Sequence, residues 1–263
     1  MSVSGKNKIP LRLATYNIHK CRGLDGRTDA VRIGAVLKPL RADVIALQEV
    51  VGPSLRIPGQ DEVLATRLNM RPVLAPARNY RSHLYGNAVL SGLPVTKHET
   101  FDLSVEGYES RLCQRVDISI ENITVHVYNV HLGTSSPERS RQAKRLLSFV
   151  MDAHVKGPKI VVGDFNEWRR GAASQLLAER LKSMDLLPHL RWRKTYPGIL
   201  PIFHIDHIYY AGHVEIQRLQ VSRRWPALIA SDHLPLVAEL LITVKEGHDE
   251  QLASSGIQGK RDE

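Results

Sequence analysis

Apolar and polar positions along this chain follow two different periods that alternate several times. Residues 11–17 alternate as a strand does, residues 30–40 carry apolar side chains at helical spacing, and residues 43–47 (DVIAL) are a short apolar run. The pattern is a strand, helix, strand unit. A second helix is predicted over 62–68, and strands then follow in succession at 73–75, 87–91, 95–101, 112–120 and 123–131. Ser136 and Pro137 read as an N-cap and a first helical position, because proline is tolerated where the N–H has no partner in any case. Ala143, Leu146, Leu147, Val150 and Met151 continue at spacings of three and four, giving an amphipathic helix. A buried strand at 159–163, a helix at 172–181 and strands at 205–210, 214–221 and 235–242 complete the pattern.

Length alone, 263 residues, allows one large core or two small ones. The pattern shows no linker, low-complexity block or short repeat between its halves, so one domain is expected over residues 9–245. Two strand-rich halves, each with helices to cover one face, imply two sheets packed face to face with helices outside. Residues 1–8 are polar and residues 246–263 lack a hydrophobic period; a flexible start and a disordered tail are expected.

An apolar fraction of 43% and a charged fraction of 24% are ordinary for a globular protein and exclude a fibrous or disordered chain. The charge changes the picture more. The net value is +9, and because residues 246–263 are acidic the remainder stands near +12. Such a field attracts polyanions: nucleic acid, an anionic lipid surface or a phosphorylated small molecule. It also serves solubility alone. Cys21 and Cys113 are too few for a disulfide framework and lack metal-binding spacing, so both are expected as free thiols. No run approaches the ~18 apolar residues of a membrane span, and a cytoplasmic monomer is expected.

Six segments end apolar strands in polar clusters: TYNIH (15–19), LQEV (47–50), NVHLG (129–133), GDFNEW (163–168), IDHIYY (205–210) and SDHLPLV (231–237). Strand ends are rigid platforms, on which residues distant in sequence can converge. The donors are hard oxygens and imidazoles without thiolate, which suits Mg2+ or Mn2+ better than structural zinc. Phosphoryl transfer fits the same inventory. Hydrolysis of an anionic ester builds further charge in the transition state and needs a cation, fixed hydrogen-bond donors and an oriented water.

Taken in order with YGNAVLS (85–91), these segments resemble the endonuclease/exonuclease/phosphatase superfamily across residues 11–242. The resemblance implies an α/β, four-layer αββα sandwich of two packed mixed β-sheets flanked by helices, and hydrolysis of a phosphate ester. It implies that Asn17 and Glu49 hold a catalytic Mg2+ (or Mn2+), Glu49 as the direct carboxylate ligand, with Asp232 beside the metal. Asp164 would orient or deprotonate the attacking water, and Asn166 would bind the phosphate or steady the nucleophile. GDFN alone also reads as a helix cap. Asp206 and His233 would form a carboxylate–imidazole pair, and His131 would donate a proton or bind phosphate. Asn87 is a supporting polar candidate. His19 and Arg111, with Arg22, are candidate phosphate contacts that also read as surface or turn residues. His207 alternates to the opposite sheet face from Asp206 and is not expected to act.

His19 stands where repair nucleases of the exonuclease III type carry Asp or Asn, which weakens that particular assignment. Nucleic acid is nonetheless the expected substrate, from the charge and from basic residues mixed with aromatics in RWRKTY (191–196) and RRW (223–225). Arg139, Arg141, Lys144 and Arg145 read as a solvated helix face. The alternatives are a phospholipid or sphingomyelin-type phosphodiesterase, which calls for an exposed hydrophobic rim, a phosphatase, and a non-catalytic interaction module. No amphipathic membrane helix is evident in the sequence.

Overall fold

In a computed structural model, which describes residues 8–183 and 194–243, strands dominate as the alternation predicts. The elements in chain order are β1 (Lys8–Asn17), α1 (Ala30–Leu37), β2 (Val44–Val51), α2 (Gln60–Leu68), β3 (Arg71–Tyr80) and β4 (His83–Ser91). Then come β5 (Val95–Asp102), β6 (Leu112–Ile120), β7 (Ile123–His131), α3 (Ser136–Val150), β8 (Lys159–Asp164) and α4 (Ala172–Ala178). The last are β9 (Lys182–Ser183), β10 (Asp206–Ala211), β11 (Val214–Val221), α5 (Ala227–Ala230) and β12 (Leu236–Thr243).

The strands form two six-stranded sheets, ordered β11-β12-β1-β2-β4-β3 and β5-β6-β7-β8-β10-β9. Both are mixed: β1 runs parallel to β2 and β7 parallel to β8, while the other pairs are antiparallel. Between the sheets lies a core of aliphatic side chains from both, including Leu11, Leu13, Val44 and Leu240 from the first and Val116, Val127, Ile160 and Ile208 from the second. A second core joins the outer face of the first sheet to Ile33, Leu37, Leu64 and Ala230 of its helices. A third joins Tyr128, Val161 and Tyr209 to Leu146, Val150 and Leu177 of α3 and α4. The central strands therefore bury both faces, one in the central core and one under helices, and this is the expected αββα layering.

Several local expectations need correction. Lys8 belongs to β1, paired with Thr243, and not to a loose start. Ser135 holds the N-cap position of α3, one residue earlier than expected. The helix expected over 172–181 ends at Ala178, and α1 tightens into a 3-10 turn at Lys38 with Pro39, whose missing N–H cannot continue it. Arg139 is buried, with its guanidinium donating to the Gly133 and Thr134 carbonyls, so it braces the loop after β7 and does not belong to a solvated face. The other residues expected to be loose, 1–7 and 246–263, lie outside the described residues.

A buried amide cluster clamps the two sheets beneath one end of the sandwich. Asn129 of β7 accepts from Gln48 Nε2 at 2.7 Å and donates to the Leu47 and Ala88 carbonyls of the facing sheet at 3.0 and 3.1 Å. Gln48 also donates to Thr15 Oγ1 at 3.1 Å. These groups have no access to water, and each bond avoids the cost of a stranded polar atom.

Candidate active site

Directly above that clamp, strand register brings the polar strand ends together. In the second sheet Asp164, the last residue of β8, pairs with His131 of β7 on one side and Asp206 of β10 on the other. In the first sheet Asn17 pairs with Gln48, and the next residue, Glu49, stands in a bulge where the β2–β4 register shifts. Its φ of 58° is a left-handed conformation that costs a non-glycine residue energy, and it re-aims the carboxylate out of the alternation. Gly163 is obligatory in GDFN: at φ 142° a Cβ there would stand 1.9 Å from the Val130 carbonyl.

Asn17 bridges the two half-sites. Its Nδ2 donates to Asp164 Oδ2 at 3.0 Å and to Glu49 Oε1 at 3.3 Å, while its Oδ1 accepts from the His19 N–H at 3.0 Å. In this arrangement it offers the carboxylates an NH2 and not its oxygen. Asp164 is further held by the Asn166 main-chain N–H at 2.9 Å, and Asn166 donates its side-chain amide to the Leu132 carbonyl at 2.9 Å. His233 is flanked by two carboxylates, Nδ1 at 2.9 Å from Asp206 Oδ2 and Nε2 at 3.5 Å from Asp164 Oδ2. Its loop is fixed by Ser231, whose hydroxyl donates to the Asn17 carbonyl at 2.8 Å.

Burial and neighbouring charge divide the protons unequally. Burial lifts the Asp164 carboxyl above its ordinary range; Asp206 adds to the effect and His233 opposes it. Burial works against the His233 cation, but Asp206 and Asp164 overcome it and hold the imidazole well above its ordinary value. His131 moves the other way, lowered by burial and then by the Arg111 charge. A guanidinium can only donate, so the 3.3 Å contact from Arg111 makes His131 Nδ1 an acceptor and places the ring proton on Nε2, facing Asp164. Burial opposes the Glu49 carboxylate as well, yet neighbouring positive charge holds it below its ordinary value. Because His131 is neutral near pH 7, the effective cation is Lys20, in direct ion-pair contact with Glu49.

These groups open on a cleft of about 310 Å3 lined by Asn17, Glu49, His131, Asp164, Asn166, Asp232 and His233. Of the residues expected from the sequence, Arg111 also lines it. Asp206 stands behind His233, fully buried. Two candidates lie elsewhere. Asn87 is buried below the cleft floor and donates to the Asn129 carbonyl at 3.3 Å, and His19 turns to Asp232 at 3.5 Å outside the lining. His207 packs against Phe165 and Tyr209 on the helix-covered face. Sequence reasoning did not single out Arg78, Tyr85 and Glu109, which form a wall in which Glu109 pairs with Arg78 and, at 2.8 Å, with Arg111. Nor did it assign Lys20 or Tyr196, whose ring centre lies 5.1 Å from that of His233. Trp168 lines the cleft and is exposed. Arg223 and Arg224 line a separate recess with Arg12 and Pro39, and residues 191–193 of RWRKTY lie outside the described residues.

The donor set suits a hard divalent cation. Four carboxylates (Glu49, Asp164, Asp206, Asp232) gather at one strand-end cluster, and buried Asp206 Oδ1 has no hydrogen-bond partner among the described residues. Among those residues the tight group of possible ligand atoms is Asp164, Asp206 and His233, within 4.8 Å of one another. That differs from the expected set of Asn17, Glu49 and Asp232. The short Asp206–His233 bond accounts for the closeness of two of its members.

Comparison with known proteins agrees with this geometry. The model of the Endonuclease/Exonuclease/phosphatase family matches residues 14–233. Escherichia coli (strain K12) YbhP is 31% identical over 249 residues, covering 89% of this chain and 97% of that protein. The fold is similar to an endonuclease/exonuclease/phosphatase from Beutenbergia cavernae, with a TM-score of 0.69 and 22% identity over 89% of this chain and 72% of that one. It is also similar to the human Nocturnin catalytic domain solved with bound sulfate, with a TM-score of 0.68 and 18% identity over 91% and 97% of the two chains. No described helix is long and apolar enough to cross a membrane.

Proposed function

Since this chain belongs to the endonuclease/exonuclease/phosphatase family of phosphoesterase hydrolases, we propose that it is a divalent-metal-dependent phosphodiesterase whose substrate is a nucleic acid. The observation that carries the chemistry is the opposite tuning of neighbouring groups: Asp164 raised, His233 held charged by Asp206, and His131 held neutral. A carboxylate with a raised pKa is a competent base near neutrality, and Asp164 accepts the proton of a water positioned between it and Asn166. Phosphorus gains the water oxygen as its bond to the leaving oxygen breaks, and the leaving oxygen departs protonated from solvent. The His233 imidazolium and the Nε2–H of His131 donate hydrogen bonds to the phosphoryl oxygens, where charge accumulates. Glu49 and Asp232 would hold Mg2+ or Mn2+, which would supply Lewis-acid stabilisation of that charge, while the Asn17 NH2 steadies the Glu49 carboxylate.

Nucleic acid is supported by the +9 charge and by Lys20, Arg78 and Arg111 around the cleft. A second reading, a lipid phosphodiester, is supported by the exposed tip that joins Tyr196 to Phe203. There Ile199 and Leu200 are 63% and 71% exposed, with Ile202 and Trp168 beside them, and the Gly198 N–H bonds the Asp232 carbonyl at 2.7 Å. A Mg2+/Mn2+ activity panel over single- and double-stranded DNA, RNA, sphingomyelin, phospholipids and inositol phosphates separates the two, with Glu49→Ala as background. Asp164→Ala and His233→Ala are each expected to lower turnover at least ~100-fold with the fold retained by circular dichroism. Wild-type rates in both would refute the site.

A further inference from the structure

Beside the cleft, and joined to it through Lys20, runs a second and larger groove of about 550 Å3. Its lining holds Lys20, Arg22, Arg81, His83, Tyr80 and Gln60, with no carboxylate. Among the described residues neither Arg22 nor Arg81 has an ion-pair partner, unlike Arg78 and Arg111, which share Glu109. The Arg81 guanidinium lies over the Tyr80 ring at 5.4 Å, giving an aromatic face edged by cations.

Backbone strain is concentrated at the same residues. The β3–β4 hairpin turns in two residues, since Tyr80 pairs with His83, and such turns favour Asn-Gly because both positions need positive φ. Here they are Arg81 at φ 46° and Ser82 at φ 66°. On the other wall His19, Lys20 and Cys21 are also left-handed, at 45°, 58° and 56°, and Gln60 Nε2 pins the Lys20 carbonyl at 2.7 Å. The chain carries this cost at the two points that present cations to the groove, a pattern associated with ligand sites.

We propose that this groove is a subsite for further phosphates of the substrate, one or more units from the scissile one. Consecutive phosphates would run from the cleft past Lys20 to Arg22 and Arg81, with the Arg81–Tyr80 pair as the contact for a base. The inference rests on the reading of the cleft as a phosphodiester site, but its test does not need turnover. Binding of fluorescein-labelled oligothymidylate, eight nucleotides long, is measured by anisotropy with the full chain in EDTA. Arg22→Ala/Arg81→Ala is expected to weaken binding at least tenfold and to flatten the slope of log K against log salt by about 1.4, two contacts at ~0.7 each. Arg81→Asn/Ser82→Gly removes the cation while easing the turn; it should lose affinity without losing thermal stability. For a polynucleotide, Tyr80→Ala weakens binding at least fivefold. For a polyphosphorylated small molecule, Tyr80→Ala is silent and inorganic tripolyphosphate displaces the oligonucleotide at equal phosphate concentration; either result supports the subsite. Wild-type affinity and salt slope in both arginine variants would overturn it. Wild-type hydrolysis of bis(p-nitrophenyl) phosphate with Mn2+, measured in parallel, tests the cleft separately: its absence would remove the catalytic reading and leave the binding result intact.

Discussion

Replacing Asn129 by Ala tests whether the amide clamp both holds the sheets together and sets the distance between the two half-sites. The side chain is fully buried in β7, and three of its hydrogen bonds cross to the facing sheet: from Gln48 at 2.7 Å, to Leu47 at 3.0 Å and to Ala88 at 3.1 Å. Gln48 keeps Thr15 as a partner after the change, so its loss is small. The two carbonyls lose their side-chain donor in a dry interior, at ~1–3 kcal/mol each, for a total of roughly 2–6 kcal/mol. That is a large part of the ~5–15 kcal/mol by which domains are normally stable. Urea unfolding should show a lower midpoint with an unchanged slope. Below the transition, folded variant should also turn over bis(p-nitrophenyl) phosphate at least tenfold more slowly, because Asn17 and Glu49 come from one sheet and Asp164 and His131 from the other, and a shift near 1 Å costs ~100-fold. A loss under ~1 kcal/mol together with wild-type turnover would refute both roles.

Two further substitutions follow from local geometry. Gly163→Ala puts a Cβ 1.9 Å from the Val130 carbonyl at a φ of 142°, so at least ~3 kcal/mol of stability should be lost, read as a drop in melting temperature by calorimetry. Asp117 gives a pH dependence: burial works against its carboxylate, but hydrogen bonds from His126 at 2.7 Å and Arg115 at 3.1 Å hold its pKa below the ordinary value. The folded form therefore binds fewer protons than the unfolded chain through the acid range. This contribution is fully present above the unfolded carboxylate pKa of ~3.9 and is lost as pH falls through the lower folded value. Asp117→Asn should remove that dependence, giving a shallower fall of denaturant midpoint between about pH 5 and 3; identical acid limbs would contradict it.

The sequence made the fold legible because alternation and helical spacing are local. Strands 112–120, 123–131 and 214–221 coincide with β6, β7 and β11, whereas ends that depend on tertiary pairing, such as Lys8 and Tyr80, extend past the predicted limits. Arg139 was misjudged for the same reason: helical periodicity faces it outward, but the Gly133 and Thr134 carbonyls of the preceding loop capture it. The polar strand ends were legible as a set, and seven of their expected residues meet in one cleft. Asn87 was not separable from them by position, since it also stands at the edge of a predicted strand, 87–91, yet in β4 it is buried and turned to the Asn129 carbonyl.

The cationic surroundings of the site were not legible, because an arginine or lysine is ambiguous until its partners are known. Arg78 stands on β3 and Arg111 in the loop between β5 and β6, and they are made one unit by Glu109 of that loop. Lys20 reaches Glu49 through left-handed residues where sequence rules expect glycine or asparagine, so no local signal announces the turn. The consequence is chemical. Arg111 sets the tautomer of His131, and Lys20 favours the ionised form of Glu49, so these two residues govern the protonation of groups that the sequence motifs name. The motif residues identify the reaction class, and the arginines beyond them without an ion-pair partner among the described residues, Arg22 and Arg81, are where the extent of the substrate is to be sought.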